Sequence, residues 1–561
     1  MAEQRDKVWR LRAAPPTGFS EFVGLTPFLA HLVYNRGIRS RDQLELYLAA
    51  DERLSHDPML LPDMDRAVDR LRRAMDGGEA VAVFGDFDTD GVTATALLIE
   101  ALQDLGVRVL PYIPGRVDEG HGLNAVAVES LRSQGASVMV TVDCGVSSEE
   151  EVSLASALGM DTVITDHHSI GGHLPQAVAV VNPSRDDSVY PYASLTGVGL
   201  ALKLAQALYA DLGRPLPDRL VELAALGTVA DVGPLTDENR YIVKLGLERI
   251  NRTEHYGIKA IIARAGLTPG GLDTESLSFS IIPRLNAAGR LGDASLSLRL
   301  LTAASPQEAT PLAAELERLN DERKVLSREA IEDALEQIGT LSETPPFLVV
   351  ESANWRPGIL GLVAATLAER YERPAVAISI EDGMCRASAR SVPGFDILRA
   401  LDQSRDLLQR FGGHPQAAGF SMDAINLPLL KAGLLATAVD GPAMRPEPVL
   451  DVDCEISPAV LNDRNFGFIQ SMRPFGEGNA QPLFLTKRAK VLDARRVGRT
   501  SDHLKMRIGH GGRVWGAIAF KQGDRPAASG DGIDLVYKAK LNHWGSTPSL
   551  ELEVVDFRQT T

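Results

Sequence analysis

Short apolar runs of strand character alternate with helical segments along residues 76–237. The run Ala80–Phe84 has the sequence of a buried strand, turn residues and a helical stretch follow it, and the same unit then recurs. Strands that are separated by helices form β-α-β units, and such strands lie parallel in one doubly wound sheet. The alternation therefore predicts a parallel-sheet α/β domain over residues 76–237.

Four further regions differ from this domain in their sequence patterns. Residues 1–75 have the apolar spacing of helices, and residues 238–335 are mostly helical and end in a long charged helix, interpreted as a connector. A second α/β pattern covers residues 336–442, and a proline-containing linker separates it from residues 447–561. The last region has short strands with glycine turns, which are typical of a small β-barrel. The predicted fold class is therefore a multidomain α/β protein with a helical connector and a C-terminal barrel.

The composition excludes several classes of protein. The chain has 561 residues, 44% of them hydrophobic, which is enough apolar material for several cores and excludes a disordered chain. Its three cysteines exclude a disulfide scaffold and a cysteine-rich zinc ribbon. Because no apolar run is long enough for a membrane span and the N-terminus lacks a signal core, we expect a cytoplasmic protein. The net charge of −16 argues against a histone-like DNA binder and suits a protein that binds divalent cations.

The acidic motif VFGDFDTDG follows the first predicted strand. Asp86, Asp88 and Asp90 alternate there, and three carboxylates so close together repel one another unless cations lie between them. Oxygen ligands at this density suit Mg²⁺ or Mn²⁺. Since Asp and Gly are also common in turns, an acidic turn without a metal is the alternative interpretation of this motif alone.

Polar side chains follow other apolar runs in the same domain. They are Asp143 in MVTVDCG, then Asp166, His167 and His168 in VITDHHS, and Asp231 in TVADVG. Because ligands gather at the carboxyl edge of an open parallel sheet, we expect these groups to meet the acidic motif at the ends of strands. Their number fits two metal ions that share one bridging carboxylate. The recurrence at equivalent positions disfavours a purely local hydrogen-bonding role for the two histidines.

The motifs DFDTDG, VDCG, DHH and ADVG occur in this order, and the sequence thereby resembles the DHH phosphoesterase superfamily. Within that superfamily, the sequence resembles the RecJ single-strand-specific exonucleases. Further stretches that carry the resemblance are YIPGRVDEGHGLN, LTGVGLALKLAQAL, IIPRLNAAGRLGDA, SARSVPGFDI, FGGHPQAAG and PFGEGNAQPLF. The resemblance implies a DHH catalytic domain at residues 76–237, a DHH-associated domain at 336–442 and an OB-fold at 447–561.

The resemblance also implies a site for two divalent metal ions, usually Mn²⁺, with Mg²⁺ as the alternative. The implied metal ligands are Asp86, Asp88, Asp90, Asp143, His167 and Asp231. The implied catalytic residues are Asp86, Asp88, Asp143, His167, His168 and Asp231. His168 would either orient His167 or donate to the scissile phosphate. Such ions would activate water and neutralise the phosphodiester, and the spacing leaves open which ion each ligand contacts.

Basic and glycine-rich motifs in both α/β regions are candidates for binding DNA phosphates. Because arginine binds two phosphate oxygens with one planar group, we predict a 5′-phosphate pocket formed by Arg116, Ser388 and Arg390. In GGHPQAAG, glycine permits a phosphate to approach the backbone, and Gly413 and His414 are the candidates. Further, less specific candidates for the following nucleotides are Arg284, Asn286 and Arg290. For any one of these arginines, a solvated surface position is the alternative.

Two positions depart from the family pattern. Arg356 in NWRPGILGLVA occupies a position where relatives usually have histidine, and His121 in DEGHG stands where many have tyrosine. His121 remains a candidate for stacking on a base, with a smaller ring. Neither position belongs to the metal motifs, so the departures concern the substrate contacts and not the reaction.

Basic residues concentrate in the predicted barrel. Between Phe484 and Arg513, nine Lys or Arg residues and two Asp residues give a local charge of +7 in a chain whose total is −16. OB-folds use positive strands of a small barrel to bind the backbone of a single strand. Arg495, Arg496 and Arg499 are predicted to lie on this path, whereas the aromatic residues of the region are interpreted as core.

The resemblance implies a 5′→3′ exonuclease that hydrolyses single-stranded DNA to 5′-mononucleotides in DNA repair and recombination. We expect a monomer, with a single-strand-binding protein and a helicase as the partners that the resemblance suggests. One alternative is a small-oligonucleotide or cyclic-dinucleotide phosphodiesterase of the superfamily, which would lack the basic barrel and the N-terminal helical region. The other alternative is a non-catalytic DNA-binding scaffold like the replication factor Cdc45, which should have lost metal ligands that are all present here.

Overall fold

The computed structural model describes residues 7–116, 119–339, 344–439, 449–498, 500–542 and 549–560. By their contacts, these residues divide into two compact units. One unit, here called the catalytic unit, holds the described residues of 55–233 and 237–446. The other, here called the barrel unit, holds those of 4–54, 234–236 and 447–561.

The N-terminal region begins with a strand and continues with helices. Its elements are β1 (Val8–Leu11), α1 (Phe19–Val23), α2 (Pro27–Tyr34), α3 (Arg41–Ala49) and α4 (Met64–Gly77). The sequence predicted one helical region over residues 1–75, and the structure divides it. β1 and α1–α3 belong to the barrel unit, whereas α4 belongs to the catalytic unit. Apolar periodicity identifies the buried face of each helix but does not identify the element that covers that face.

A parallel sheet forms the first α/β domain, as the alternation of strands and helices predicted. Its elements are β2 (Ala80–Gly85), α5 (Thr89–Asp104), β3 (Arg108–Tyr112), α6 (Ala125–Ser133), β4 (Ala136–Val142), α7 (Glu149–Ala157), β5 (Asp161–Thr165) and β6 (Ala179–Val181). The strand order is β3-β2-β4-β5-β6, and every neighbouring pair is parallel. The residues of β2 are all buried because helices cover both faces of the sheet.

Helices follow this sheet up to residue 339. They are α8 (Gly197–Asp211), α9 (Asp218–Ala230), α10 (Asp237–Ile250), α11 (Tyr256–Arg264), α12 (Thr274–Ser276), α13 (Ile282–Leu291), α14 (Ser295–Leu301) and α15 (Pro306–Gly339). A π-helical turn, Leu277–Ile281, joins α12 to α13. The long helix α15 packs along α11, α13 and α14 and then reaches α16 (Leu360–Tyr371) of the second α/β domain. It is therefore the predicted helical connector.

A mixed sheet forms the second α/β domain. Besides α16, its elements are β7 (Leu348–Ser352), β8 (Ala375–Glu381), β9 (Met384–Arg390), α17 (Ile397–Asp402), β10 (Arg410–His414), β11 (Ala417–Asp423) and α18 (Leu427–Val439). The strand order is β10-β11-β9-β8-β7, in which β7 and β8 are parallel and the other neighbours are antiparallel. Its buried residues form a core that includes Val376, Ile378 and Phe420.

A closed barrel forms the C-terminal part, as predicted. The elements are β12 (Val449–Val452), β13 (Cys454–Glu455), α19 (Asp463–Ser471), β14 (Phe484–Val497), β15 (His503–His510), β16 (Arg513–Ala519), β17 (Gly532–Asn542) and β18 (Ser549–Gln559). The order is β13-β14-β15-β16-β18-β17, and pairing of β14 with β17 closes the sheet. Strand β1 pairs parallel with β12, and Leu29 and Leu32 of α2 belong to the same apolar core as Phe484 and Tyr537.

None of the helices in the described part of the chain is long and apolar enough to cross a membrane.

Candidate metal centre

The acidic motif lies directly after β2, at the turn into α5. Oδ1 of Asp88 accepts hydrogen bonds from the backbone N–H groups of Asp90 (2.9 Å) and Gly91 (3.1 Å), so Asp88 is the N-cap of α5. Asp90 lies in the first turn, and its two oxygens accept hydrogen bonds from the N–H groups of Gly197 (2.7 Å) and Val198 (2.9 Å). This carboxylate therefore also ties the start of α8 to the start of α5.

Asp143 and His167 lie at the same edge of the sheet, after β4 and β5. Asp143 has a left-handed backbone with φ 61°, and its N–H donates to the carbonyl oxygen of Thr165, the last residue of β5, at 3.0 Å. His167 Nε2 lies 3.0 Å from Asp143 Oδ1 and 3.9 Å from Asp231 Oδ2. Asp231 was expected at the end of a strand, but it follows helix α9. An apolar run of that length is compatible with either structure, and here the helix brings its carboxylate to the sheet edge.

Three overlapping groups of side chains have ligand atoms within 4.8 Å of one another. They are Asp86, Asp88 and Asp143; Asp90, His167 and Asp231; and Asp143, His167 and His168. The structure thus brings together every residue that the sequence predicted as a metal ligand. Asp143 belongs to two of the groups, which is the arrangement that a bridging carboxylate requires.

Burial and mutual repulsion dominate the electrostatics of these carboxylates. Burial raises the pKa of Asp143 well above its ordinary value, and the charges of Asp90 and Asp88 raise it further. The pKa of Asp231 is raised to about 7, first by burial and then by Asp88. For His167, burial and then His168 lower the pKa to about 4, which leaves a neutral imidazole at neutral pH. Buried carboxylates beside a neutral imidazole are the donor set of a divalent cation site.

Two carboxylate oxygens of this cluster also indicate a divalent cation site. Oδ1 of Asp86 and Oδ1 of Asp143 are buried, and no described residue makes a hydrogen bond to either of them. Ligand atoms at about 2.1 Å from an octahedral ion are roughly 3.0 Å apart when they are adjacent. The 3.0 Å separation of Asp143 Oδ1 and His167 Nε2 matches this spacing. The residues present therefore fit hard divalent ions such as Mn²⁺ or Mg²⁺.

His168 differs from its neighbour His167 in charge and in contacts. Its Nδ1–H donates to Oδ1 of Asp166 at 2.7 Å, and the other oxygen of Asp166 accepts from the N–H of Val146 at 2.9 Å. The hydrogen bond to Asp166 is the main reason why the pKa of His168 is raised to about 9. Its ring stacks on that of His414 of β10, with centroids 5.9 Å apart and an interplanar angle of 6°. A cationic donor from one α/β domain thus lies beside the glycine-rich hairpin of the other.

The residues of the predicted 5′-phosphate pocket lie near one another. The guanidinium of Arg116 lies 4.8 Å from the ring centre of Phe87, within the acidic motif. Nη1 of Arg390 donates to Oγ of Ser388 at 3.2 Å, and the pKa of Arg390 is lowered by burial and then by the charge of Arg116. The structure therefore brings positive charge from both α/β domains to the vicinity of the acidic edge.

Two of the predicted substrate-binding residues on α13, Asn286 and Arg284, have different contacts. Oδ1 of Asn286 accepts from the N–H of Thr89 at 3.0 Å, so α13 is attached to the acidic motif. Arg284 donates to Glu317 at 3.1 Å and to the carbonyl oxygen of Ser280, which commits its guanidinium to contacts within the fold. A partner on the neighbouring helix α15 is not visible from the local sequence of α13.

His121 and the hairpin of the second domain are the other candidates. The ring of His121 lies 4.3 Å from that of Phe87, and its Nδ1 is 3.4 Å from Oδ2 of Asp86. Gly413 has φ 139°, and a Cβ there would lie 2.3 Å from the carbonyl oxygen of Ala417, so only glycine fits this position of the hairpin. His414, the next residue, stacks on His168.

On the barrel, Arg495 and Arg496 are exposed on β14, and Arg496 lies 3.3 Å from the exposed carboxylate of Asp524. Arg499, the third residue of the predicted path, lies outside the described residues.

Sequence reasoning missed several residues that shape the centre. It did not identify the N–H groups of Gly197 and Val198 as partners of Asp90, or Asp166 as the residue that charges His168. The signal for Asp166 was its position at the end of a strand. The amides of α8 gave no signal, because nearly every residue has a backbone N–H group and the sequence does not show which of them will donate to a side chain.

Comparison with known proteins agrees with this architecture. Family models match residues 80–228 (DHH family, N-terminal domain), 344–438 (DHHA1 domain) and 452–556 (RecJ OB domain). A parallel sheet with an acidic carboxyl edge, followed by these two domains, defines the chain as a protein of the DHH family. It is 36% identical over 543 residues to the single-stranded-DNA-specific exonuclease RecJ of Bacillus subtilis, which covers 96% of this chain and 68% of that protein. The chain belongs to the RecJ family.

Other members give the same result in sequence and in structure. The RecJ of Salmonella typhimurium is 34% identical over an alignment of 565 positions, which covers 95% of this chain and 96% of that protein. A crystal structure of RecJ from Thermus thermophilus in complex with Mn²⁺ superimposes with a TM-score of 0.86 at 30% identity, covering 99% of this chain and 80% of that one. A Mg²⁺ complex of the same protein superimposes with a TM-score of 0.80.

Proposed function

We propose that this chain is a metal-dependent exonuclease that hydrolyses single-stranded DNA from the 5′ end and releases 5′-mononucleotides. The observation that carries the proposal is the cluster of buried carboxylates and one neutral imidazole at the carboxyl edge of the sheet. Membership of a family whose named relatives are single-stranded-DNA-specific exonucleases supports the substrate. A role in DNA repair and recombination is consistent with that family.

The centre is proposed to hold two ions, with Mn²⁺ preferred and Mg²⁺ accepted. Asp86, Asp88 and Asp143 form one group of ligands, and Asp90, His167 and Asp231 form the other. Asp143 is proposed as the carboxylate that both ions share, because its Oδ1 lies 3.0 Å from Nε2 of His167 in the second group. When bound, ions in this position supply an activated water and neutralise charge on the phosphodiester. The crystal structures of the Thermus relative with each metal support this choice of ions.

The chain's own residues position the substrate. His168 is cationic and, held by Asp166, is proposed to donate its Nε2–H to a non-bridging oxygen of the scissile phosphate. Asp90 has both oxygens on the amides of α8, and its proposed role includes fixing that helix beside Asp143. These contacts are formed before substrate binds, so little rearrangement is needed during the reaction.

The direction of digestion follows from the proposed 5′-phosphate pocket of Arg116, Ser388 and Arg390. If a terminal phosphate is held there, the first phosphodiester lies towards the acidic edge, and cutting begins at the 5′ end. Gly413 and His414 on the hairpin, with Asn286 and Arg290 on α13, are proposed to contact the following nucleotides. Arg284 is a weaker candidate for binding nucleotides, because its guanidinium already pairs with Glu317.

The barrel unit is proposed to bind the single strand through Arg495, Arg496 and Arg499. The local charge of +7 between Phe484 and Arg513 supports an electrostatic path along the DNA backbone.

We also propose a cytoplasmic monomer that works with a single-strand-binding protein and a helicase. Its cysteines are buried and free, which suits a reducing compartment.

The test is digestion of end-labelled strands in Mn²⁺. Single strands with a 5′-phosphate should be degraded from that end to mononucleotides, and blocking the 3′ end should have no effect. A duplex of the same sequence should resist digestion. Rapid digestion of a 5′-blocked strand from its 3′ end would overturn the direction, and preference for dinucleotides over long strands would instead favour a small-oligonucleotide phosphodiesterase.

A further inference from the structure

The loop between β3 and α6 carries two of the predicted substrate-binding residues, Arg116 and His121. Both side chains lie against the ring of Phe87, whose centre is 4.8 Å from the guanidinium of Arg116 and 4.3 Å from the ring of His121. Phe87 is almost completely buried, so its ring is held in place at the acidic edge. Among the residues that the structure describes, none forms a hydrogen bond or an ion pair with the guanidinium of Arg116. The position of this guanidinium therefore depends on the backbone that carries it.

A third residue of the loop, Glu119, holds that backbone. Its Oε1 accepts a hydrogen bond from the N–H of Gly115 at 2.8 Å. Its own N–H donates to the carbonyl oxygen of Gly115, also at 2.8 Å. Gly115 directly precedes Arg116, so this carbonyl belongs to the peptide group that includes the N–H of Arg116. Glu119 thus binds the peptide groups on both sides of Gly115.

The second carboxylate oxygen of Glu119 attaches the loop to the sheet and to a helix. Oε2 accepts hydrogen bonds from the hydroxyl of Tyr112 and from Nδ2 of Asn124, both at 2.8 Å. Tyr112 is the last residue of β3, and its ring stacks on that of Phe84 of β2, with centroids 5.3 Å apart. Asn124 is the N-cap of α6. One side chain therefore connects the two ends of the loop with the backbone beside Arg116.

Glu119 accepts these hydrogen bonds as a carboxylate. Burial raises its pKa, but the hydrogen bonds from Gly115, Tyr112 and Asn124 together lower it below the ordinary value of a glutamate. Tyr112 remains a donor because burial and then Glu119 raise its pKa to about 12. Hydrogen bonds to an ionised acceptor are roughly twice as strong as those between neutral groups. Since a carboxylate repels a phosphate, a favourable effect of Glu119 on phosphate binding must come from these hydrogen bonds and not from its charge.

We propose that Glu119 is the positioning residue of the 5′-phosphate pocket, because its hydrogen bonds hold the loop so that Arg116 and His121 stay on Phe87. A terminal phosphate then meets an arginine that is already in place, and little binding free energy is lost in ordering the loop. The inference rests on the proposed function, because it takes Arg116 as part of a 5′-phosphate pocket. It adds that an acidic residue, which itself does not contact the DNA, determines the preference for a 5′-phosphate.

The experiment measures kcat/KM in Mn²⁺ for two single strands that differ only at the 5′ end, which carries a phosphate or a hydroxyl. The ratio of the two values is the phosphate preference. Glu119→Ala should lower this preference by about tenfold, because a substrate-binding group that is displaced by about 1 Å loses a factor of ten or more in rate. Digestion of the 5′-hydroxyl strand should stay within about threefold of wild type, since the metal centre is unchanged.

Two conservative variants should give smaller losses. Tyr112→Phe keeps the ring on Phe84 but removes one of the three donors, and it should lower the phosphate preference by about two- to fivefold. Glu119→Gln keeps one acceptor oxygen and replaces the other by an N–H donor, so its preference should lie between those of wild type and Glu119→Ala. Both variants nearly retain the size of the original side chain, and they therefore test the same hydrogen bonds even if Glu119→Ala does not fold.

Two further variants separate positioning from charge. Glu129→Ala removes the same charge from an exposed position on α6 and should have the wild-type phosphate preference. Arg116→Ala removes the arginine that Glu119 is proposed to position. Adding Glu119→Ala to Arg116→Ala should cause little further loss, because the effect of Glu119 passes through that arginine.

The inference is overturned if Glu119→Ala keeps the wild-type phosphate preference, or if the preference increases, as the removal of a repulsive charge would produce. It is also overturned if both strands lose activity equally, or if Glu119→Ala causes its full loss in the Arg116→Ala background. A failure of the proposed 5′-phosphate pocket is distinct from these results, because the wild-type chain would then digest the two strands at the same rate.

Discussion

Gly197 at the start of α8 makes room for the side chain of Asp143: a Cβ at position 197 would lie 2.5 Å from both Cβ and Oδ1 of Asp143. Neither Gly197 nor Asp143 can move freely. The N–H of Gly197 donates a hydrogen bond to Asp90, and the backbone of Asp143 is fixed in a left-handed conformation. The close approach therefore connects the first turn of a helix to the carboxylate that is proposed to bridge the ions.

Gly197→Ala should displace the carboxylate of Asp143 and weaken Mn²⁺ binding by roughly tenfold or more, since a ligand moved by a few tenths of an ångström no longer fits the coordination distance. Calorimetric titration with Mn²⁺ measures the effect. Gly199→Ala is the matched control, because a Cβ there meets side-chain atoms of Leu195 at 3.3 Å and not the metal centre. Equal Mn²⁺ affinity of Gly197→Ala and wild type would contradict the assignment of Asp143.

Asp143→Asn should lower kcat by roughly 10³-fold or more, because several kcal/mol of charge stabilisation depend on the ions and each 1.36 kcal/mol is a factor of ten. Asparagine tolerates the left-handed backbone at this position better than alanine does. Single-strand binding should stay within about twofold of wild type, since the barrel unit is unchanged. Digestion at the wild-type rate would refute the metal assignment, and exposed Asp211→Ala serves as the control.

Arg390→Ala should slow digestion of 5′-phosphorylated strands by about one to two orders of magnitude, since a charge-assisted contact contributes roughly 1.5–3 kcal/mol. Strands with a 5′-hydroxyl should be affected much less, because they lack the phosphate that this arginine contacts. Arg386→Ala, an exposed arginine four residues before Arg390 on the same strand, is the control. Equal losses on the two substrates would assign Arg390 to the internal backbone.

Replacing Arg495, Arg496 and Arg499 together by alanine should weaken single-strand binding and lower its dependence on salt. Each lost phosphate contact reduces the slope of log K against log salt by about 0.7, so the expected decrease is about 2 if all three bind phosphates. Fluorescence titration at several salt concentrations measures the slope. An unchanged slope would exclude these residues from the DNA path.

Lys203→Met should destabilise the catalytic unit by about 3–5 kcal/mol, because it leaves a buried carboxylate without its cation. Nζ of Lys203 lies 2.7 Å from Oε1 of Glu238, and both side chains are almost completely inaccessible. The double variant with Glu238→Gln should recover part of the loss, and urea denaturation measures both. A loss below about 1 kcal/mol in the single variant would show that the pair is not a determinant of stability.

The sequence was sufficient for the parallel sheet, the connector and the barrel, because each has a clear periodicity. It also predicted which residues meet at the acidic edge, since strand ends converge by topology. It was insufficient where the partner is a backbone group, as for the amides that hold Asp90. It was also insufficient where the partner is remote in the chain, as for Glu317, which pairs with Arg284. Asp231 was expected among the residues at strand ends but follows helix α9, because an apolar run before a polar residue does not show which element brings that residue to the sheet edge.

The pairing of β1 with β12 has a consequence for how the protein is made. Arg10 of β1 and its partner Asp451 of β12 are separated by 441 residues in the chain. At about 5–20 residues per second, a ribosome needs roughly 20–90 s to synthesise the segment between them. Throughout that time the apolar residues of α2 lack the barrel core that later covers them, so this segment of the nascent chain stays open to aggregation until the barrel has been synthesised.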